Sequence, residues 1–584
     1  MSTGKATTEH FLFGLAVLLA AGIRFINLGS TPLSDGEATW ALQALDLVRG
    51  SHALIGPQPA YILLTAFGFS LLGISEFLAR FWPALAGSAL VLAPVLFRER
   101  IGRKAAVVLA FALALEPSLV AASRQADGRI LALAGLVFAT GFWLKGSTVW
   151  AGIAGGFALL GGPTIWNGLI AAGLGWSAVR VTRTRTMIQT SDPATEPREA
   201  RGGPREARGT QSWRSLGLWV LGTVLVLGTL FWFAPTGLSG WANSLAAYLQ
   251  GWVRPDGTSL LVMLIAWIGI SPLAVLFGLT GFIQGLWRKD PVDNMLAWLW
   301  IFAFLLFLVY PGREPTDLAW SAIPLLASGA RAAVPLFHSA QSKVPVIGYT
   351  VLSAALAISG CINLIGLSDP TRPEDDVLRW TGILGAVILI LASFLLMTWG
   401  WSLRTAWEGG RYGLIAVLVL YSLSATWSAA GLGARPENEI WHAGNVAKNW
   451  DTNLKVIGDV SEWSSGRRDT LNLVVSDFDT PSLRWALRDH YQQTFSPIAA
   501  DAKPQAVITP EIKDAKLILP VPYTGQALVW SQAVQWNRLQ PREWLHWFIF
   551  RELPARSEAF KTQPIILWLR SDLFPGAAQS SAVR

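Results

Sequence analysis

The feature that most constrains this chain is a series of long apolar runs separated by charged segments. A bilayer-spanning helix needs about 20 mostly apolar residues. Seven runs meet that length with almost no charge: residues 11–29, 215–234, 258–287, 294–310, 344–367, 381–402 and 412–431. Only 14% of the 584 residues are charged, whereas soluble domains carry about 25%. The composition therefore excludes a cytosolic globular enzyme.

Shorter apolar runs add further candidate spans. They are residues 78–97, 105–120, 130–144 and 318–337, together with two spans inside 146–179. We divide the last stretch because it is too long for one span and a helix would stop at its Gly161, Gly162 and Pro163. The sequence therefore predicts a polytopic α-helical membrane protein with about thirteen transmembrane helices. Residues 59–72 are expected to form a re-entrant or interfacial helix that does not cross.

The basic loops predict the orientation of these spans. Lysine and arginine concentrate in cytoplasmic loops, and five loops are rich in them: residues 98–104, 180–214, 287–289, 338–343 and 404–411. All five lie inside if the N-terminus is cytoplasmic, and residues 181–214 then form a basic cytoplasmic linker. We expect a multi-pass protein of the plasma membrane with a first outer loop at residues 30–77. The net charge of +8 follows from this topology and does not predict nucleic-acid binding.

The composition changes near residue 434. We therefore divide the chain into a transmembrane domain, residues 1–433, and an extracytoplasmic α/β domain, residues 434–584. Strand-like runs at 471–475, 517–521, 527–530 and 565–569 accompany a helix-like segment at 481–490. Asp477 and Asp479 have the spacing of a metal-binding pair, but a helix cap at Thr480 followed by Pro481 is the simpler interpretation.

Two carboxylates stand where the first span leaves the bilayer. Asp35 or Glu37 could act as a general base that takes a proton from an acceptor hydroxyl during sugar transfer. The structural alternative is that Ser34 or Asp35 caps a surface helix running to about Val48, with Glu37 in its first turn. Spacing alone leaves both interpretations open.

Two later outer loops contain arginines suited to phosphate. Arg124 and Asp127 are three residues apart and would share a helix face, so Arg124 could bind a phosphate while Asp127 orients it. The alternative is a structural ion pair at a helix end. Arg313 lies in a short loop at headgroup depth, where it could bind a lipid phosphate or simply extend to the interface. The six histidines have no metal-ligand spacing, so no metal is assigned; a divalent ion is possible but not indicated.

Several segments resemble the GT-C superfamily of multispanning glycosyltransferases. The resemblance is to the protein O-mannosyltransferase-like branch, glycosyltransferase family 39, and within it to a prokaryotic, flippase-associated subgroup. The matching residues lie in the first outer loop, at Pro59 and Tyr61, in the segment 72–87, in the loop of Arg124 and Asp127, and at residues 310–329 and 543–574. Each motif is short, but together they cover most of the chain.

The resemblance implies an enzyme that uses a polyprenyl-phosphate sugar as donor, with a catalytic carboxylate in the first outer loop. Glu37 matches the second acid of the family's Asp-Glu pair, whereas the first acid falls on Gly36 and Asp35 is displaced by one residue. A second departure is Pro57 and Gln58, where the family usually has a basic residue and then a Gly or Pro.

The sequence therefore predicts a membrane glycosyltransferase that moves a sugar from a polyprenyl-phosphate carrier to a lipid or protein acceptor at the outer face. Asp35 and Glu37 are the candidate bases, Arg124 and Arg313 bind the donor phosphate, and Asp127 orients. Residues Pro59 and Tyr61 are assigned to the acceptor entrance. The scheme requires the separate outer turns to converge. The alternative is a catalytically inactive GT-C-like scaffold that assists translocation or assembly of lipid-linked saccharides. The sequence does not indicate an oligomeric state.

Overall fold

The computed structural model describes residues 3–51, 54–190, 205–254, 257–338, 343–367, 373–433, 435–441, 446–447, 450–490, 493–499, 501–511, 519–553 and 557–573. Parts of the predicted loops and strands, residues 191–204, 339–342 and 517–518, lie outside these ranges. The helices of the first part are α1 Thr3–Phe25, α2 Asp35–Val48, α3 Pro59–Leu72, α4 Glu76–Leu90, α5 Pro94–Ile101, α6 Arg103–Leu115, α7 Pro117–Ser123, α8 Arg129–Leu144, α9 Thr148–Leu159, α10 Ile165–Thr190, α11 Arg205–Gly228, α12 Gly237–Val253, α13 Leu260–Ile270, α14 Pro272–Arg288, α15 Pro291–Val309, α16 Leu318–Ala333, α17 Lys343–Leu367, α18 Asp376–Gly400 and α19 Leu403–Ala429.

Six helices of the described residues are long and apolar enough to cross a membrane, and two bent pairs raise this number to eight. The pair α6 and α7 bends by 57°, and the pair α13 and α14 bends by 87°. Pro117 and Pro272 stand at the first position of the second helix in each pair, where a missing amide and a fixed φ interrupt the preceding helix. Four shorter apolar helices add further candidates. The number thirteen stays a prediction.

The first outer loop folds as its cap residues predict. Ser34 caps α2 and forms a capping box with Glu37, so the cap interpretation is confirmed, and the helix ends at Val48 as expected. Helix α3 has the predicted bounds, Pro59–Leu72, with most of its first ten residues buried. No helix is predicted between the apolar runs 215–234 and 258–287, whereas Gly237–Val253 forms α12.

The C-terminal residues form a six-stranded sheet with helices packed beside it. The strands are β1 Val446–Ala447, β2 Leu473–Val475, β3 Gln493–Phe495, β4 Ala506–Pro510, β5 Tyr523–Val534 and β6 Phe560–Arg570, in the order β1-β5-β6-β4-β2-β3. Strand β2 is parallel to β3 and β4, and the other pairs are antiparallel. The accompanying helices are α20 Trp450–Ser465, α21 Pro481–Ala486 and α22 Pro541–Phe550. Thr480 caps α21 and Pro481 is its first residue, as predicted, although the helix is shorter than residues 481–490.

Helix α21 attaches this sheet unit to the first outer loop. The Trp485 ring stacks on Phe69, with ring centroids 5.9 Å apart, and its indole nitrogen donates to Glu76 Oε1 at 3.0 Å. Arg488 forms an ion pair with the same carboxylate at 3.1 Å. The sheet unit therefore lies on the same side of the helical part as the first outer loop.

Candidate active site

Separate turns of the chain meet around one polar cavity of about 450 Å³. The walls come from the start of α2, the turn before α3, the turn between α7 and α8, the turn after α9, the end of α12, the segment from α15 to α16, and Trp441 after α19. The lining residues with charged or hydrogen-bonding side chains include Glu37, Gln58, Gln125, Asp127, Arg129, Tyr248, Arg254, Tyr310, Glu314 and Asp317. The outer turns thus converge as the sequence-based scheme required.

Arg129 organises the acidic side of the cavity. Its backbone amide donates to Asp127 Oδ1 at 3.0 Å, and its guanidinium contacts Asp127 Oδ2 at 3.3 Å. The same guanidinium forms an ion pair with Glu314 Oε1 at 2.5 Å and also donates to the Thr316 hydroxyl. Because Arg129 is the first residue of α8, the start of that helix fixes where this cation stands. One arginine therefore ties together two turns that are far apart in sequence.

Asp317 is a buried carboxylate with one oxygen uncommitted. Its Oδ2 accepts from the Glu314 amide at 2.9 Å, whereas Oδ1 has no hydrogen-bond partner among the described residues. Burial raises the pKa of Asp317 to about 6 and the pKa of Asp127 likewise to about 6, because removal from water penalises the charged form. Both groups can therefore exchange a proton near neutral pH.

Two tyrosines and an arginine form the opposite wall. The rings of Tyr248 and Tyr310 stack with centroids 5.1 Å apart and planes 14° from parallel. The Tyr248 hydroxyl donates to Asn167 Oδ1 at 2.9 Å, and the Tyr310 hydroxyl donates to the Tyr248 carbonyl at 3.1 Å. Arg254, just after α12, is exposed at the rim. It lines the cavity, and within the described part of the chain its guanidinium contacts no carboxylate.

Glu37 borders the cavity but is fully engaged in holding the fold. Arg80 Nε and Nη2 each donate to it at 2.8 Å, and the Ala126 amide donates at 3.0 Å. The Ser34 amide and hydroxyl add bonds of 3.0 and 3.2 Å. Five donors occupy a carboxylate that offers about four lone-pair sites. This geometry disfavours Glu37 as a proton acceptor, because its lone pairs are already used.

Asp35 is not among the residues that line the cavity. Its Oδ1 accepts from the Ser482 amide at 3.1 Å, so the carboxylate sits at the start of α21. The structure therefore directs Asp35 towards the C-terminal unit and away from the cavity.

Arg124 and Arg313 both bind backbone carbonyls. The Arg124 guanidinium donates to the carbonyls of Ile23, Arg24, Ile26 and Asn27 over 2.8 to 3.1 Å. The Arg313 guanidinium donates to those of Leu308, Tyr310 and Thr258 over 2.8 to 3.1 Å. Each arginine thus satisfies carbonyl groups at a helix C-terminus, which have no partner inside the helix. The expectation that Arg124 and Asp127 share a helix face was wrong, because α7 ends at Ser123.

Pro59 and Tyr61 do not form an open entrance. Both are buried in α3, and the Tyr61 hydroxyl donates to the Ala79 carbonyl at 2.9 Å. The neighbouring residues Pro57 and Gln58 line the cavity instead, and Gln58 Oε1 accepts from the Gly128 amide at 2.5 Å. The positions at which the sequence departs from the family pattern therefore lie at the cavity, next to the residues that were predicted.

Sequence reasoning missed Arg129, Arg254, Asp317 and Tyr248. The available signal was position, because Arg129, Arg254 and Asp317 each lie at or next to a helix end, whereas Tyr248 lies within α12. That signal is weak, since many charged residues stand at helix ends. In the part of the chain that the structure describes, no group of three or more His, Cys, Asp or Glu residues is arranged to hold a metal ion.

Solved structures with a similar fold include the following two. ArnT from Cupriavidus metallidurans, crystallised bound to undecaprenyl phosphate, matches with a TM-score of 0.50 and 15% identity over 98% of this chain and 100% of ArnT. The apo form of the Archaeoglobus fulgidus oligosaccharyltransferase matches with a TM-score of 0.43 and 14% identity over 85% of this chain and 65% of that protein. No protein-family model and no curated protein sequence matches the chain. The match to ArnT shows a similar fold along nearly the whole length of both chains.

Proposed function

We propose that this protein is a membrane glycosyltransferase that moves a sugar from a polyprenyl-phosphate carrier to a lipid or protein acceptor on the outer face of the plasma membrane. The observation that supports this proposal is the single cavity in which Asp317, Asp127, Arg129 and Arg254 meet. A transfer from a lipid phosphate needs an acid–base group and cations in the same water-accessible space. The cavity provides both within a fold shared with ArnT.

The donor is proposed to be an isoprenoid phosphate carrying a hexose. The structure of ArnT was solved with undecaprenyl phosphate, and a carrier of that class would suit the headgroup-depth cavity of the present chain. We also propose that the protein belongs to the protein O-mannosyltransferase-like branch. Its N-terminus is proposed to be cytoplasmic and its sheet unit extracytoplasmic.

We assign binding of the donor phosphate to Arg254 and Arg129 in place of Arg124 and Arg313. Arg254 stands at the rim, where a lipid phosphate would arrive from the membrane. Arg129 is half-buried and each of its guanidinium nitrogens contacts Asp127, Thr316 or Glu314, so its position is fixed before substrate binds and it adds charge near the site more than free donors. A guanidinium aimed at the leaving phosphate stabilises the charge that develops there, and such preorganised electrostatic contacts lower the barrier most.

We assign the general base to Asp317 in place of Asp35 and Glu37. Its free Oδ1 would accept the proton of the acceptor hydroxyl while that oxygen forms a bond to the anomeric carbon. The bond from the same carbon to the phosphate oxygen breaks, and the carrier phosphate leaves with the electron pair. Asp127 keeps its predicted orienting role by fixing Arg129. A single base and a single displacement imply inversion at the anomeric carbon.

The scaffold alternative is favoured by one specific observation. Both predicted base candidates of the first outer loop are committed to structural contacts, Glu37 to Arg80 and Asp35 to Ser482. If the family's catalytic position is indispensable, the chain would bind lipid-linked saccharides without transferring the sugar.

A transfer assay separates the two functions. Purified protein in proteoliposomes would be supplied with radiolabelled polyprenyl-phosphate hexoses and a panel of membrane acceptors. The enzyme proposal expects transfer by the wild type, a loss of at least about 100-fold in Asp317→Asn, and little change in Asp46→Asn. Asp46 lies on α2 outside the cavity lining, so it is a matched control. Saturable donor binding without transfer by the wild type would support the scaffold.

A further inference from the structure

A second cavity lies at the opposite end of the helical part. Helix α15 leads from one cavity to the other. Its C-terminal end is followed by Tyr310 of the candidate active site, and its N-terminal end borders a cavity of about 690 Å³. Its 19 residues span about 28 Å at 1.5 Å each. The second cavity is therefore separate from the active site, and its size is that of a small-molecule site.

Cationic side chains predominate around this cavity. Five basic side chains and three acidic ones line it: Arg100, Arg103, Lys104, Arg288, Arg331, Glu99, Asp290 and Asp293. The three acids are already paired. Arg331 binds Asp290 at 2.6 Å and Asp293 at 2.7 Å, while Glu99 binds Lys145 outside the cavity at 2.5 Å. Arg103 is paired with Glu9 at 3.0 Å, but in the described ranges no carboxylate lies within ion-pair distance of Arg100 or Arg288, so these two cations leave the rim with an excess of positive charge.

Backbone and hydroxyl donors also point to an anionic ligand. Helix α6 begins at this cavity after Gly102, which offers no side-chain cap, and its first three residues, Arg103, Lys104 and Ala105, line the wall. The first amides of a helix have no partner inside it and carry partial positive charge. Ser328 also lines the cavity and is fully buried, and its Oγ finds no hydrogen-bond partner among the described residues. A buried hydroxyl without a partner is costly unless a ligand completes it.

We propose that this cavity binds a phosphate group, most simply the phosphodiester of an anionic membrane lipid. Arg100 and Arg288 would contact the phosphate oxygens at the rim, the α6 amides would face the same charge, and Ser328 would donate from the floor. The chemistry is that of any phosphate ester, and a soluble one would use the same groups. The alternative is that Arg100 and Arg288 only extend into the lipid headgroup layer and do not select a ligand.

The test measures lipid retention by the full chain in nanodiscs. Native mass spectrometry would compare phosphatidylglycerol with phosphatidylcholine as the probe lipid, and glycerol 3-phosphate would be added as a soluble competitor. Selective retention of phosphatidylglycerol supports the lipid source. Displacement of that lipid by glycerol 3-phosphate supports the same site with a soluble phosphate ester. Equal retention of both lipids, with no effect of the competitor, overturns the proposal.

Two variants separate the site from general surface charge. The double variant Arg100→Gln/Arg288→Gln is expected to weaken phosphatidylglycerol retention about 10- to 30-fold, since each surface cation contributes about 1 kcal/mol to anionic-lipid binding. The control Arg98→Gln/Arg404→Gln removes two cations from the same end of the helices but outside the cavity lining, and is expected to change retention less than about threefold. Equal losses in the two double variants would reduce the effect to general attraction and overturn the site.

Ser328→Ala tests the floor of the cavity without changing charge. Loss of one hydroxyl donor should weaken retention about fivefold, and the melting temperature should not fall because the hydroxyl has no protein partner to lose. Unchanged retention would contradict the contact from the cavity floor.

Discussion

Asp317→Asn should separate chemistry from stability in this protein. The substitution keeps the shape of the side chain, and an Asn carbonyl oxygen can still accept from the Glu314 amide that now binds Oδ2 at 2.9 Å. It removes the carboxylate oxygen that has no partner among the described residues. We therefore expect transfer to fall at least about 100-fold while the fold remains intact.

We expect Asp317→Asn to be at least as stable as the wild type at neutral pH, whereas most substitutions at buried positions lower the free energy of unfolding. Burial raises the pKa of Asp317 from 3.8 to about 6, so the folded state holds the proton more tightly than the unfolded state. The free energy of unfolding therefore falls as pH rises from about 4 to about 6, and the full penalty, about 3 kcal/mol, is present above that range. The Asn variant lacks this penalty because its side chain does not ionise. At pH 7.5 its melting temperature should equal or exceed that of the wild type, and the difference should shrink below pH 6.

Thermal unfolding in detergent across this pH range and initial transfer rates would be measured on the same preparations. The wild-type rate should rise through pH 6 and then level, because the base must lose its proton, while any residual activity of the variant should lack this limb. If Asp317→Asn transferred sugar at the wild-type rate, the assignment of Asp317 as the base would be refuted. A melting temperature well below that of the wild type at pH 7.5 would refute the argument from burial.

The remaining predictions concern the neighbouring contacts. Arg80→Met leaves the Glu37 carboxylate buried and unpaired, so it should cost about 3 to 5 kcal/mol, seen as a large fall in melting temperature; a change within experimental error would contradict the structural role of the pair. Arg254→Gln should raise the KM for the lipid donor about tenfold with an unchanged melting temperature, because this arginine is exposed; an unchanged KM would exclude it from phosphate binding. Tyr61→Phe removes only the hydrogen bond to the Ala79 carbonyl and should cost about 1 kcal/mol in denaturant titration; a large loss of transfer at full stability would restore Tyr61 to the site.

Most of the helical architecture is encoded in local sequence and could be predicted from the sequence. Apolar runs of the right length determine where helices lie, because a backbone in lipid must satisfy its hydrogen bonds within the segment. Caps are equally local: Ser34 with Glu37 and Thr480 with Pro481 were both found where their side chains predicted. The breaks in the bent pairs follow from single prolines, although their angles of 57° and 87° do not.

The site depended on tertiary structure. A sequence shows that Arg124, Arg129 and Arg313 are charged and near helix ends, but not which of them faces a cavity. That choice is made by packing between distant segments. Arg124 meets the end of α1, roughly a hundred residues earlier, and Arg313 closes the end of α15, so both guanidinium groups bind backbone carbonyls there. Arg129 is brought to Glu314 by the packing of α7, α8 and α16 and stays in the cavity. Sequence alone predicted most of the helices and the charged segments that separate them. Only the tertiary structure decided which of those charges bind the backbone and which line the cavity, because long-range packing sets the partner of each buried group.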